Sequence, residues 1–245
     1  MKKKINIGAL ISGTGTNLEA IIKACKKNKI DGQVIFVGSD NPKAKGLERA
    51  AKHDIPTFIV DYGQIIKQIK NAPTAIKVPE DFDFDEIWAK QKFFLGKTAD
   101  EKQRFFIISR VIAESELLKI ISAYSFDLII LAGFMRKLTP YFINHINTDL
   151  NEPRIMNIHP ALLPSFPGTD GYGDTFRYGC KVGGCTVHFV DYGEDSGEII
   201  GQKAFPILAH DTLDSVKQKG LELEWELYEE CIQLFAQSRL PNNTK

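Results

Sequence analysis

The chain has 245 residues, 43% of them hydrophobic and 25% charged, with 31 basic and 31 acidic side chains. That is the composition of a soluble globular protein with enough chain for a full core, in one large or two small domains. The charge balance gives no global electrostatic case for nucleic acid or an anionic membrane as partner, and no apolar segment is long enough to span a bilayer.

Met1-Lys2-Lys3-Lys4 precedes an apolar run that is short and broken by Asn6, Gly8, Ser12 and Gly13, so Ile5 to Ile11 reads as a buried first strand and not as a signal peptide. Ser12-Gly13-Thr14-Gly15-Thr16-Asn17 follows, and a helix begins near Leu18. Strand, small-residue loop, helix opens a doubly wound α/β unit, and the free N–H groups at such a helix start favour an anion. The loop lacks the third glycine of a dinucleotide fingerprint and the lysine of a P-loop. A plain turn with Thr16 or Asn17 as helix cap explains it equally well. A second strand spans Gln33 to Gly38, a second helix Leu47 to Ala51, and a short third strand Pro56 to Val60. Asp40, near the end of the second strand, keeps an NAD reading open.

From about 62 to 100 the periodicity degrades. Pro73, Pro79 and the run Glu80-Asp81-Phe82-Asp83-Phe84-Asp85-Glu86-Ile87-Trp88 interrupt it. The density of Phe and Trp argues against disorder. This stretch reads as a partly helical insertion, either decoration or a cover over a ligand. A helix follows within Ala99 to Tyr124, then a strongly apolar fourth strand from Asp127 to Ala132, then a helix starting near Thr139.

Arg154 to His159 alternates polar and apolar residues, the period of a strand with two different faces. Asn157 and His159 therefore point the same way, roughly 7 Å apart. Pro160 cannot donate to a sheet ladder, so the strand ends there. An amide that can donate to a developing oxyanion would stand beside an imidazole that can hold or pass a proton near neutral pH. The plainer alternative is that both satisfy neighbouring backbone groups. Gly183 to Val190 alternates again and pairs Thr186 with His188. A turn-rich acidic loop runs from Asp191 to Gly197, a last strand from Ile199 to Ile207, and a terminal helix from Asp211 to Gln237. With no repeat and no low-complexity linker, the whole of 1–245 reads as one domain.

The cysteines are Cys25, Cys180, Cys185 and Cys231, with no C-x-x-C pair. Reduced, structural thiols in a cytoplasmic protein are expected. The five histidines show no H-E-x-x-H spacing and no G-x-S-x-G elbow is present, which leaves metal and serine-nucleophile chemistry unsupported.

Five stretches now resemble one family in order. They are Ile11-Ser-Gly-Thr-Gly-Thr-Asn17, Gly46-Leu-Glu-Arg-Ala50, Leu131-Ala-Gly-Phe-Met-Arg136, Asn157-Ile-His-Pro160 with Leu162-Leu-Pro164, and Thr186-Val-His-Phe189 leading to Asp195-Ser-Gly197. The chain is similar to the phosphoribosylglycinamide formyltransferases within the 10-formyltetrahydrofolate transferase superfamily. The resemblance covers nearly everything except about 62–100. It implies a Rossmann-like, doubly wound, mostly parallel sheet of about seven strands with helices on both faces. It implies formyl transfer from 10-formyltetrahydrofolate to the amine of a glycinamide ribonucleotide. The partners would be small molecules, without metal, in a cytoplasmic monomer or homodimer.

Residue by residue, the resemblance makes Asn157, His159 and Asp195 the catalytic group. It gives Gly15, Thr16 and Asn17 to the acceptor's phosphate, Glu224 to its ribose, and Gly133 to the same substrate. The donor would lie along Met135, Arg136, Lys137, Leu138 and Asn157, with Arg110 near its glutamate tail. A carboxylate beside a histidine favours the imidazolium, and Asp195 is the candidate. His188 would be a support.

Two departures stand out. The insertion has no counterpart in compact members. Past Gly168, where the family runs through a histidine-bearing segment into a helix, this chain has Thr169-Asp170-Gly171-Tyr172-Gly173-Asp174-Thr175-Phe176-Arg177, which reads as an altered loop beside the site. Glu198 also stands where a proline is usual. A sugar-nucleotide N-formyltransferase, a formyltetrahydrofolate hydrolase and a non-catalytic nucleotide-binding module remain alternatives.

Overall fold

The computed structural model describes residues 3–72, 77–149 and 151–240. Met1, Lys2 and the part of the insertion that includes Pro73 lie outside the described residues.

The elements run β1 (Ile5–Ile11), α1 (Thr16–Lys26), β2 (Gly32–Ser39), α2 (Lys45–Ala51), β3 (Thr57–Ile59), α3 (Tyr62–Asn71), α4 (Phe84–Lys90) and α5 (Glu101–Ile121). The second half continues β4 (Leu128–Leu131), α6 (Pro140–Ile146), β5 (Ile155–His159), α7 (Gly171–Tyr178), β6 (Val182–Phe189), β7 (Ile199–Pro206) and α8 (Leu213–Arg239). One sheet orders the strands β3-β2-β1-β4-β5-β6-β7. The first five strands pair in parallel; β6 joins β5 antiparallel and β7 joins β6 antiparallel. The seven-stranded, mostly parallel sheet with helices on both faces is the architecture the sequence implied.

The two-residue period of the strands sorts the core. Ile7, Ile11, Ile130, Met156, Ile158 and Val187 face α1 and α8, where Leu18, Ile21, Leu227 and Ile232 cover them. Leu10, Ile129, Leu131 and Ile155 face the opposite way, under Ile65, Ile112, Leu117 and Phe142 of α3, α5 and α6. Burying each such side chain contributes about 1.5–3 kcal/mol, so both faces are strongly held. Strand order reverses between β1 and β4, and a crevice opens outside the carboxyl ends of parallel strands at such a point. There the Ser12 amide donates to Gly133 O at 3.0 Å, and Ser12 Oγ accepts from the Met135 amide at 2.8 Å.

Stretch 62–100 is more ordered than its broken periodicity suggested. Asp83 caps α4 by accepting from the amides of Asp85 and Glu86. Ile87 and Trp88 are buried against Ile107, Val111 and Tyr141, with Phe82, Phe84, Phe94 and Phe106 around them. A strap leaving α4 reaches the far side of the crevice, where the Lys92 amide donates to Tyr192 O at 2.9 Å.

Three expectations change. The segment 169–177 is not a loop but mostly α7. Its glycines serve close packing: a Cβ at Gly171 would sit 2.6 Å from Pro160 O, and one at Gly173 would sit 2.1 Å from the Asp170 carboxylate. Tyr172 is buried with Phe205 and Val216, which ties the helix to the sheet and to α8. Next, neither Thr16 nor Asn17 caps α1; Gly15 occupies that place in the left-handed region, with φ 70°, and no side chain caps the helix. Finally, Asp40 is 3% exposed and pairs with Arg136, so the acid that a dinucleotide's ribose would need is engaged inside the protein.

Candidate active site

Asn157 and His159 lie on the same face of β5 as Ile155, at its carboxyl end. The antiparallel β6 sets His188 opposite Asn157 and Thr186 opposite His159. Asn157 Nδ2 and His188 Nε2 are 3.2 Å apart. His159 Nε2 is 2.9 Å from Phe166 O, and its Nδ1 is 3.3 Å from Asp195 Oδ2. Both neighbours are acceptors, so a ring carrying two N–H groups donates to each. Thr186 Oγ1 donates to Ala161 O at 2.7 Å and accepts from the Leu163 amide at 3.0 Å, which fastens the chain just past the histidine.

Asp195 reaches this group from the acidic loop. Its φ of 51° lies in the left-handed region, which aspartate tolerates better than most residues. One carboxylate oxygen faces each imidazole, with His188 Nε2 3.6 Å from Oδ1, and the Gly168 amide donates to Oδ2 at 2.8 Å. Burial pushes the Asp195 carboxyl upward. The contact with His188, the charge of His159 and the Gly168 amide outweigh it and hold the group below the usual aspartate range.

The group lies in a cavity of about 380 Å³, a volume suited to a small-molecule ligand. Toward α5 and the insertion its wall is aromatic and basic: Phe93, Phe106, Phe134, Met135, Arg110 and Lys137. Lys137 pairs with Glu194 at 2.6 Å. Arg110 lies over the rings of Phe106 and Tyr62, 4.9 and 5.5 Å from their centroids. Its Nε and Nη1 are buried without a hydrogen-bond partner among the described residues. Burial lowers the guanidinium's pKa, with Arg136 adding to it.

At the opposite end stand Asn17 and Glu224. Glu224 is 7% exposed, and burial raises its pKa. Asn17 Nδ2 donates to its Oε2 at 2.7 Å and Tyr172 Oη to its Oε1 at 2.8 Å.

Of the residues singled out from the sequence, Asn17, Arg110, Gly133, Met135, Arg136, Lys137, Leu138, Asn157, His159, Asp195 and Glu224 all line this cavity. Gly15 and Thr16 do not. Gly15 instead packs against α2, where a Cβ on it would approach Gly46 Cα to 2.6 Å. Sequence reasoning missed Phe93 and Phe106, which no motif or period ties to the site, and the carbonyl of Phe166, which no side-chain pattern reveals. It also missed Tyr172, hidden between two glycines. Among the described residues no cluster of three or more His, Cys, Asp or Glu could hold a metal ion, and no helix is long and apolar enough to cross a membrane.

A family model described as formyl transferase matches residues 5–232. The chain is 34% identical over 236 residues to phosphoribosylglycinamide formyltransferase of Escherichia coli (strain K12), covering 96% of this chain and 89% of that one. It is 33% identical over 221 residues to the Bacillus subtilis (strain 168) protein of the same name, covering 90% and 89%. It is also 33% identical to the trifunctional purine biosynthetic protein adenosine-3 of Gallus gallus, of which it spans 18%. Among solved structures, glycinamide ribonucleotide transformylase 1 from Symbiobacterium toebii matches with TM-score 0.71 and 33% identity, covering 98% of this chain and 91% of that one. Phosphoribosylglycinamide formyltransferase from Coxiella burnetii matches with TM-score 0.72 and 32% identity, covering 96% and 89%.

Proposed function

The chain belongs to the formyl transferase family, and from that premise we propose that it moves a formyl group from 10-formyltetrahydrofolate to the amine of N1-(5-phosphoribosyl)glycinamide in purine biosynthesis. The single observation that carries this reading is the linked group Asn157, His188, Asp195 and His159 in a cavity whose two ends differ in chemistry. A cationic, aromatic end suits an aryl group with a carboxylate tail. A buried carboxylate at the other end suits sugar hydroxyls.

The donor supplies a formyl group held on nitrogen. Attack by a neutral amine gathers negative charge on the formyl oxygen. Asn157 donates to that oxygen, His159 joins it by turning its Nε2–H away from Phe166 O, and loss of one such donor typically costs about 3–4 kcal/mol of barrier. Asp195 keeps the imidazole oriented and, through water, passes the amine's proton toward the leaving nitrogen. Arg110 and Lys137 hold the donor's anionic tail, and Phe93 and Phe106 flank its rings. Met135, Arg136 and Leu138 form the rest of that wall. Asn17 and Glu224 bind the acceptor, with Gly133 leaving room beside it and the α1 start, at Gly15 and Thr16 beyond the cavity wall, meeting its phosphate. A cytoplasmic monomer or homodimer and a single domain spanning the chain go with this reading.

The test is incubation with 10-formyltetrahydrofolate and a panel of amines, the glycinamide ribonucleotide and an amino-sugar nucleotide among them. Formyl appearing on the glycinamide nitrogen is the expected result. Release of folate without any acceptor would indicate hydrolysis instead, and no release at all would leave only a binding module.

A further inference from the structure

We propose that Tyr172 is a positioning residue for the acceptor, fixing the Glu224 carboxylate so that its free lone pairs meet two neighbouring hydroxyls of the acceptor's pentose. The inference rests on the acceptor assignment above and concerns the helix that departs from the family's usual segment.

Glu224 borders the cavity and Tyr172 does not: the tyrosine stands behind the carboxylate, on α7. Each carboxylate oxygen takes one donor from the protein, Tyr172 Oη at 2.8 Å and Asn17 Nδ2 at 2.7 Å. An ionised carboxylate offers about four lone-pair sites. Two therefore stay available, one on each oxygen, the arrangement a pair of adjacent hydroxyls matches. With one oxygen undirected the carboxylate would swing about its last bond, since a terminal torsion of this kind is broad.

The tyrosine's own seat is built for it. Gly220 of α8 lies against the ring, and a Cβ there would come within 2.1 Å of Tyr172 Cζ. Phe205 and Val216 enclose the ring's remaining surface. Burial and the charge of Glu224 push the Tyr172 hydroxyl well above its ordinary pKa, so the proton it donates stays in place. Cys185 of β6 also senses the charge of Glu224, and burial pushes its thiol up to about 12, so it stays neutral across the working range. Burial raises the Glu224 pKa, and the Tyr172 and Asn17 bonds restrain that rise. Removing the tyrosine's bond lets it rise further, so the carboxylate protonates, and stops accepting hydroxyls, at a higher pH.

The experiment compares the full-length protein with Tyr172→Phe, which keeps the ring and deletes one donor, and with Gly220→Ala, which displaces the ring. Calorimetric binding of the glycinamide ribonucleotide is measured with steady-state kinetics across pH. Both variants are expected to weaken acceptor affinity roughly tenfold, the size of one hydrogen bond to a charged group. The donor KM and kcat should stay within about twofold, since uniform binding is what is lost. The acid limb of kcat/KM for acceptor should move to higher pH. The 2′-deoxy acceptor, which lacks one hydroxyl, should lose less affinity than the natural acceptor on going to Tyr172→Phe. A merely structural tyrosine would leave the acid limb and the deoxy discrimination unchanged, and that result overturns the proposal. Wild type that binds and formylates the ribonucleotide while Tyr172→Phe matches it sinks this inference alone. Wild type that binds no ribonucleotide sinks the acceptor assignment with it.

Discussion

Two regions of the cavity are built on opposite principles. At the carboxyl end of β5, Asn157, His159, His188 and Asp195 already face one another, and Gly168 and Phe166 supply further partners. At the α5 end, Arg110 keeps two buried nitrogens without partners among the described residues. A cluster that satisfies itself is rigid before ligand arrives, which is what lowers a barrier. Buried guanidinium nitrogens without hydrogen-bond partners cost stability until an anion comes, which is what makes a binding site. Chemistry and capture are thus separated by their state of satisfaction as well as by position.

That contrast can be broken by substitution. The largest effect belongs to the satisfied end. His159→Ala and Asn157→Ala should each lower kcat by about 10²–10³ while both KM values move little, because the lost donors act in the transition state. Steady-state rates decide it; a loss confined to KM would place these residues in capture instead.

The next effect tests the ground beneath Arg110. Glu114, one turn away on α5, is fully buried, and burial pushes its carboxyl up to about 7 despite bonds from the Thr139 amide and hydroxyl. The folded protein then holds a proton that the unfolded chain releases near pH 4.5. Stability should therefore fall as pH rises from about 4.5 to 7, by on the order of 3 kcal/mol. Glu114→Gln should flatten that slope in chemical denaturation series, and an unchanged slope would remove Glu114 as its source.

The smallest effect has two signs. Arg110→Met should raise the donor KM about tenfold with kcat kept, as loss of a charge-assisted bond does. It should also raise the melting temperature of the free protein, because two buried nitrogens without hydrogen-bond partners go with it. A fall in both would mean that Arg110 is a packing residue.

Much of this was legible from the chain. β1 matches its expected limits because Ile5, Ile7 and Ile11 are buried on one face and Leu10 on the other, so a continuous apolar run had a single solution. Asn157 and His159 could be paired from alternation alone, since a strand repeats every two residues. Tyr172 could not be found that way. Gly171 and Gly173 are signals for a turn, and only the closeness of Pro160 and Asp170 explains them in a helix. Glu114 was equally silent, because its partner Thr139 is 25 residues away and no local period joins them. The aromatics of 80–106 were visible as residues but not as a wall, since the strap's course is set by long-range contacts such as those of Lys92 with Tyr192 O and Asp191.

The central claim is that the amide, the imidazole and the acid at the carboxyl end of β5 act together. Single-turnover formyl transfer by His159→Ala, Asp195→Asn and the double variant tests it directly. If the three are one unit, the double variant is scarcely slower than the worse single one. Losses that multiply in full would mean that each residue acts alone, and the account of a shared catalytic group would be wrong.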